Sequence, residues 1–295
     1  MDTISVIITT YKRELSLLLE AINSVKRQSV MPLEIIVVDD NGEGTEYQKI
    51  NQSQFENDPF IKYIVNKKNC GAQISRNKGI KASGGTLIAF LDDDDYWDER
   101  KLEKQIKVLT DESVGMVFCQ GWVFRDGYVE HKRTYPSSAK FVKEPSFLEL
   151  LEKDYIGTTS QALIRKSCFD VVGTFDVDMP ARQDYELWLR IAKEFRIVGV
   201  EEKLFYHRIH EAEQISKSYK KAIQGYKLIL LKYKSEFQTR PEAKAYQFYK
   251  MGRICMGSKK YCEGIKYFSY AFMSAPKYIL NNMFSKILQQ YRIRK

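Results

Sequence analysis

Four carboxylates in a row, Asp92-Asp93-Asp94-Asp95, follow the apolar run Leu87-Ile88-Ala89-Phe90-Leu91 and precede Tyr96-Trp97. A short apolar run bounded by turn signals reads as a buried strand. Carboxylates at the tip of such a strand are costly unless something positive meets them there. Hard oxygen ligands suit Mg2+ or Mn2+, and a fitting use of the site is to hold a divalent ion against a diphosphate. Taken alone, the run has a plainer reading, a solvated acidic turn capping a helix that begins near Asp98.

Stepping along the chain, residues 4 to about 110 alternate strand and helix. Strands are expected at Ile4–Thr10, Glu34–Val38, Phe60–Val65 and Thr86–Leu91. Helices are expected at Glu14–Arg27, Ala72–Lys81 and Asp98–Leu109. This alternation implies a mainly parallel sheet between helices. Open parallel sheets bind ligands beyond the carboxyl ends of their strands. Three strand ends here are polar: Thr9-Thr10-Tyr11, Asp39-Asp40-Asn41 and Asp92 to Asp95. Fold logic alone gathers them on one edge. No Gly-x-Gly-x-x-Gly follows the first strand, so a dinucleotide fingerprint is missing. Further on, strands are expected at Gly115–Arg125, Gln161–Arg165, Arg196–Val200 and Leu204–His207, with helices at Lys166–Val172 and Asp184–Phe195.

The length of 295 residues allows one large domain plus an appendage. The odd number of cysteines, 5, without any Cys-x-x-Cys pair, suggests neither a disulfide framework nor a zinc site, and fits a reducing compartment. No signal peptide is expected before the first strand, and no apolar stretch approaches the roughly 18–20 residues that span a bilayer. The net charge of +9 is unevenly spread: residues 217–295 hold 18 Lys and Arg against 3 Asp and Glu, a balance of +15. The body is therefore acidic and the tail basic, which suits an anionic surface such as lipid headgroups, or equally a solvated helical face. The expected division is a body of residues 1–216 and a helical extension of residues 217–295. Within the extension, Phe248, Met251, Gly252, Cys255, Gly264, Phe268, Ala271 and Pro276 fall on the spacings of one tetratricopeptide-like hairpin, about 245–276.

The segments Ser5-Val6-Ile7-Ile8-Thr9-Thr10-Tyr11-Lys12-Arg13, Val37-Val38-Asp39-Asp40, Asn69-Cys70-Gly71-Ala72 with Ser75-Arg76-Asn77-Lys78-Gly79-Ile80, and Phe90 to Trp97 resemble the family 2 glycosyltransferases, in order and at the usual spacings. The resemblance resumes at Gln183-Asp184-Tyr185-Glu186-Leu187-Trp188-Leu189-Arg190 and at Tyr206-His207-Arg208-Ile209-His210 with Ser216. It implies the α/β GT-A fold, Rossmann-like and mainly parallel, carrying here a C-terminal all-helical extension. It also implies an inverting, metal-dependent enzyme that moves a sugar from a nucleotide donor, UDP-linked by expectation, to an acceptor hydroxyl.

The resemblance assigns roles. Asp92 and Asp94 form the Asp-x-Asp pair that holds Mn2+ or Mg2+, with Asp94 the direct ligand, although the run of four leaves the register open to Asp93 or Asp95. His210 resembles a late histidine that assists metal or diphosphate. Thr9, Tyr11 and Asp39 would form the base pocket, Tyr11 by stacking and Asp39 by accepting a ring N–H. Arg76 would face ribose or phosphate, and Asp92 and Asp93 would complete the donor site. Asp184 would be the general base; relatives often carry a carboxylate just before it, where this chain has Gln183. Trp188 and Arg190 are expected to support packing.

The expected partners are a nucleotide-sugar donor, a glycan or lipid-linked glycan acceptor from cell-surface polysaccharide synthesis, and an anionic membrane surface under the basic tail; nucleic acid is not an expected partner. The expected place is cytoplasmic, peripheral on the inner face of the cell membrane. Three competing readings remain, one of them nucleic-acid binding by the basic tail, which composition alone does not exclude. A nucleotidyltransferase would carry a Gly-rich loop where this chain has Thr9-Thr10-Tyr11-Lys12-Arg13. A nucleotide-sugar-binding or scaffold protein acting through its tail would not need the aspartates or Asp184.

Overall fold

A computed structural model of the chain describes residues 2–109, 111–125, 133–136, 141–209 and 218–281. The chain divides into two units. One comprises Met1–Phe147, Tyr155–Val177 and Asp184–Glu211; the other comprises Leu148–Asp154, Asp178–Gln183 and Ala212–Lys295. The sequence draws a single cut after residue 216, whereas the second unit also takes up two short upstream segments.

In chain order the elements are β1 (Ile4–Thr10), α1 (Leu15–Lys26), β2 (Glu34–Asp39), α2 (Glu46–Phe55), β3 (Ile61–Val65), α3 (Ala72–Ala82), β4 (Leu87–Asp92), β5 (Tyr96–Trp97), α4 (Lys101–Ile106), β6 (Val114–Arg125), β7 (Arg133–Tyr135), α5 (Phe147–Glu152), β8 (Ala162–Arg165), α6 (Lys166–Val172), α7 (Gln183–Glu194), β9 (Arg196–Ile209), α8 (Tyr219–Lys232), α9 (Lys234–Thr239), α10 (Pro241–Gly257) and α11 (Tyr261–Ser274). The strands form one mixed sheet in the order β3-β2-β1-β4-β8-β6-β9-β5, with β7 paired to β6. The first four in that order are mutually parallel. β8 runs antiparallel to β4 and β6, and β6 and β9 are parallel. The C-terminal ends of β1, β2, β3, β4, β6 and β9 therefore share one edge of the sheet.

The apolar runs explain why this sheet forms. Val6, Ile8, Ile35, Val37, Leu87, Ala89 and Leu91 belong to one buried cluster. Burial of each large member contributes about 1.5–3 kcal/mol. Close layers also need small residues: a Cβ on Gly79 in α3 would sit 2.5 Å from Ile7 of β1, so glycine lets helix and sheet meet.

Two expectations are corrected. α2 was not foreseen; Thr45 caps it by accepting the Gln48 N–H, and its buried face is Gln48, Asn51 and Phe55, mostly polar. The two closing strands are one, β9: the register steps from Cys119↔Val200 to Gln120↔Lys203, so Glu201-Glu202 form a bulge within a continuous strand.

In the second unit α10 and α11 pack as a pair. Gly252 lies against the Phe268 ring, where a Cβ would approach to 2.7 Å. The Gln247 side chain donates to the carbonyls of Leu151 and Glu152 at 2.8 and 3.1 Å, which binds α10 to the end of α5.

Candidate functional site

Sheet register assembles the site. Thr9 pairs with Asp92, Thr10 with Asp39, and Asp39 with Val65, so the ends of four parallel strands are level. Beyond β4 the chain turns, with Asp95 N–H donating to the Asp92 carbonyl at 3.1 Å, and the four aspartates part company. Asp92 accepts from Arg76 Nη2 at 2.8 Å and Thr159 Oγ1 at 3.3 Å. Asp93 accepts from Arg13 Nε at 2.8 Å, and Asp94 from Arg13 Nη2 at 2.8 Å. Asp95 points inward to Ser160 Oγ at 2.8 Å, His207 Nδ1 at 3.0 Å and Arg208 N–H at 3.1 Å. Arg208 also donates to the Asp94 carbonyl at 3.1 Å and to Glu20.

Side-chain exposure grades the run: 29% for Asp92, 12% for Asp94, 9% for Asp93 and none for Asp95. The positive charge that a buried acidic tip demands is thus supplied by Arg13, Arg76, Arg208 and His207. Burial pushes the Asp93 carboxyl up to about 7, with Arg13 opposing. Burial likewise raises Asp95. For His207 burial works downward, but the Asp95 carboxylate outweighs it and holds the imidazole up at about 9. Burial also works against the Arg13 charge, and Asp93 and Asp94 overcome it.

The residues present fit a divalent ion carried by a diphosphate. Asp92 and Asp94 are hard donors with solvent access, and such an ion needs only one or two carboxylates beside phosphate oxygens. Among the described residues no cluster of three or more His, Cys, Asp or Glu could hold a metal by itself. A buried nitrogen of Arg76, Nη1, has no partner among the described residues, which leaves a donor for a phosphate or ribose oxygen. His210, the sequence candidate for metal assistance, lies outside the described residues.

At the nucleotide edge, Tyr11 is 43% exposed with the Lys12 ammonium 5.3 Å from its ring centre. Lys12 adopts φ +49°, and its N–H donates to Asn41 Oδ1 at 2.6 Å, joining the loops after β1 and β2. Thr9 is half-buried on β1. Asp39 is buried with both oxygens occupied: Asn41 N–H and Nδ2 at 2.9 and 2.8 Å on one, Asn51 Nδ2 and Tyr63 Oη at 2.8 and 2.6 Å on the other. Its neighbour Asp40 takes the N–H groups of Cys70 and Gly71, both at 2.8 Å, and so fixes the start of α3, where Gly71 adopts φ +92°. That helix carries Arg76, which stands 5.5 Å from the Phe175 ring centre.

Asp184 opens α7, half-buried, with Oδ1 accepting the Tyr185 N–H at 2.8 Å. One turn on, the buried Trp188 donates Nε1–H to the Gly157 carbonyl at 3.2 Å. Gly157 leads into the turn Thr159–Gln161, whose first two hydroxyls hold Asp92 and Asp95. The tie at Trp188 fastens α7, the helix that Asp184 begins, to the segment whose hydroxyls hold Asp92 and Asp95. Arg190 braces the buried Glu186 at 2.8 Å and the Thr174 carbonyl at 2.8 Å, a packing role.

Sequence reasoning assigned no role to Arg13, Thr159, Ser160, His207 or Arg208. The demand for positive charge at the acidic tip was the available signal for Arg13, Arg208 and His207. Thr159 and Ser160 had none.

The family model described as Glycosyl transferase family 2 matches residues 5–173. A relative from Escherichia coli, UDP-Glc:alpha-D-GlcNAc-diphosphoundecaprenol beta-1,3-glucosyltransferase WfgD, is 26% identical over 88% of this chain and 94% of its own. Among solved structures, S. aureus TarS 1-349 in complex with UDP-GlcNAc superposes with a TM-score of 0.64 at 16% identity, covering 93% of this chain and 92% of that one. The mannosyltransferase PcManGT from Pyrobaculum calidifontis, in complex with GDP-Man and Mn2+, gives 0.62 at 18% identity over 99% and 82%. The two structural likenesses establish the fold.

Proposed function

This chain belongs to glycosyl transferase family 2 and is a nucleotide-sugar glycosyltransferase, and we propose that it moves the sugar of a UDP-linked donor, with inversion, onto a hydroxyl of a lipid-linked glycan in cell-surface polysaccharide synthesis. The observation that carries this reading is the acidic run at the end of β4, level with the ends of β1 and β2, where Asp92 is the most exposed carboxylate and Asp95 is sealed. The relative WfgD supports a UDP-sugar and a diphospholipid-linked acceptor by its name.

Asp92 and Asp94 would hold Mn2+ or Mg2+, which supplies electrostatic stabilisation to the departing diphosphate. Arg76, with its unpartnered buried Nη1, adds a charged donor toward the phosphates or ribose. Tyr11 offers an exposed ring for a base to stack on, and Thr9 and Asp39 lie on the adjoining ends of β1 and β2. Asp184 takes the proton of the acceptor hydroxyl, so a single displacement proceeds at neutral pH. No helix among the described residues is long and apolar enough to cross a membrane. The basic helical unit is the proposed meeting place with anionic lipid, since α11 exposes Tyr261, Ile265, Phe272 and Met273 on a lysine-rich unit.

A panel of UDP-, GDP- and ADP-sugars, scored for Mn2+-dependent donor hydrolysis, tests the proposal. Turnover of a UDP-sugar that stops in excess EDTA is the expected result. Turnover confined to another nucleotide, or indifferent to EDTA, overturns the donor or the metal assignment respectively.

A further inference from the structure

The buried pair Thr159-Ser160 grips the acidic loop at four points. The ladder between β4 and β8 runs as far as Ala89↔Leu163. Beyond it a side chain takes over. Ser160 Oγ accepts the Asp92 N–H at 3.1 Å and donates its own proton to Asp95 Oδ2 at 2.8 Å. The Ser160 carbonyl accepts Trp97 Nε1–H at 2.9 Å. One residue thereby fixes the first, fourth and sixth positions of the stretch from Asp92 to Trp97. Its neighbour Thr159 donates Oγ1–H to Asp92 Oδ1 at 3.3 Å. Gln161 steadies the turn that carries both: its Oε1 accepts the Thr158 N–H at 3.1 Å, and its Nε2 donates to the Cys119 carbonyl at 2.6 Å.

The oxygen of Asp92 that Thr159 holds is the one that Arg76 Nη2 holds, at 2.8 Å. The other oxygen, Oδ2, takes no hydrogen bond among the described residues, on a side chain that is 29% exposed. The carboxylate is tied at one oxygen and open at the other. Resting on the reading that Asp92 is an ion ligand, we propose that Thr159 and Ser160 are positioning residues that present Asp92 Oδ2 as a single ligating oxygen. Ser160 pins the main chain of Asp92, and Thr159 with Arg76 stops its carboxylate from rotating. Chelation through both oxygens would compete with the hydrogen bonds on Oδ1, one of them charge-assisted at both ends. A small ion that demands near-octahedral geometry is served by one well-aimed oxygen. The hydroxyl of Thr159 has a further merit: it holds the carboxylate without adding a positive charge that would repel the ion.

The readout is binding of the metal itself. Mn2+ is titrated by electron paramagnetic resonance, with UDP saturating, for the full chain as wild type, Thr159→Val, Thr159→Ser, Ser160→Ala and Asp92→Asn. Thr159→Val keeps the shape and removes the hydroxyl, whereas Thr159→Ser keeps the hydroxyl and removes a methyl group. The expected result is that Thr159→Val and Ser160→Ala bind Mn2+ about 10–100-fold more weakly, the usual loss when a ligand's supporting hydrogen bond is removed. Thr159→Ser should stay near wild type, a rescue that a packing role does not produce, and Asp92→Asn should bind more weakly still. If Asp92→Asn loses Mn2+ while Thr159→Val matches wild type, or while Thr159→Ser falls as far as Thr159→Val, the positioning inference falls and the metal assignment stands. If Asp92→Asn binds Mn2+ as wild type does, the assignment of Asp92 falls and the inference with it. Wild-type binding by a folded Ser160→Ala removes Ser160 from the role, and the Thr159 variants decide the matter if Ser160→Ala does not fold.

Discussion

The Nδ1 of His207 lies 3.0 Å from the Oδ1 of Asp95, and this contact fastens β9 to the acidic loop after β4. His207 is cationic at neutral pH because Asp95 holds its pKa up at about 9 against burial. Replacing His207 with Phe leaves a buried carboxylate without that cation, at a cost of about 3–5 kcal/mol. Adding Asp95→Asn should recover part of the loss. Urea unfolding of the four chains in a double-mutant cycle measures the coupling; strictly additive losses would mean the two side chains do not act as a pair.

Asp184→Asn keeps size and most hydrogen bonding but cannot take a proton. It should lower kcat by about 10²–10⁴-fold with donor affinity little changed. The product anomer in wild type should be opposite to the donor's by NMR. Near-full kcat in the variant, or retained configuration, removes Asp184 from the role of base.

Asp39 meets a base only by giving up a present partner, since all four of its hydrogen bonds are made within the protein. Asn41, half-buried on the loop, is the partner best able to turn away. UDP with Mn2+ should therefore stabilise the chain more than ADP with Mn2+. At 100 times Kd the gain is about 2.7 kcal/mol, read as a Tm shift. Equal shifts would show that the pocket does not discriminate the base.

Lys101 is wholly buried: Nζ donates to Gln105 Oε1 at 2.8 Å and lies 3.9 Å from the Trp97 ring centre. Burial pushes it down from 10.5 to about 8. A lysine whose folded pKa lies below its unfolded one carries a penalty at neutral pH, and the penalty lifts as pH rises from about 8 to about 10.5. The interval corresponds to about 3 kcal/mol. Lys101→Met should lack this alkaline gain. Urea midpoints at pH 7.5 and 10 compare the two chains; an identical pH response in both would exonerate Lys101.

Lys259 and Lys277, exposed in the helical unit, test the lipid surface. Reversing both to Glu should weaken co-sedimentation with anionic vesicles at low salt, each basic residue near the surface being worth about 1 kcal/mol. Sedimentation equal to wild type would assign the tail's charge to solvation or to a protein partner.

How much was legible depended on which force shaped each element. β1, β2 and β4 announced themselves because strands buried on both faces read as unbroken apolar runs. α2 stayed hidden because its inward face is Gln48 and Asn51, the latter held by Asp39, so no apolar period marks it. β9 looked broken because a bulge needs no apolar residue. The edge that gathers the aspartates was deducible from topology. The partners of each were not: they follow from a turn at Asp92 and from Ser160, which is 65 residues distant from Asp95 in sequence.

Four identical residues invite the idea of redundancy, yet each aspartate has its own partner: Arg76, Arg13 Nε, Arg13 Nη2 and His207 in turn. An in-frame loss of any one codon from the run yields the same shortened protein. The register of β4 on β1 holds the first aspartate in place, and β5 on β9 holds Tyr96. Three carboxylates must then answer four contacts from three cations across a shorter span. Such a deletion, invisible to any score of composition, should behave as a loss-of-function allele, while neutral drift among the four positions is closed because none can stand in for its neighbour.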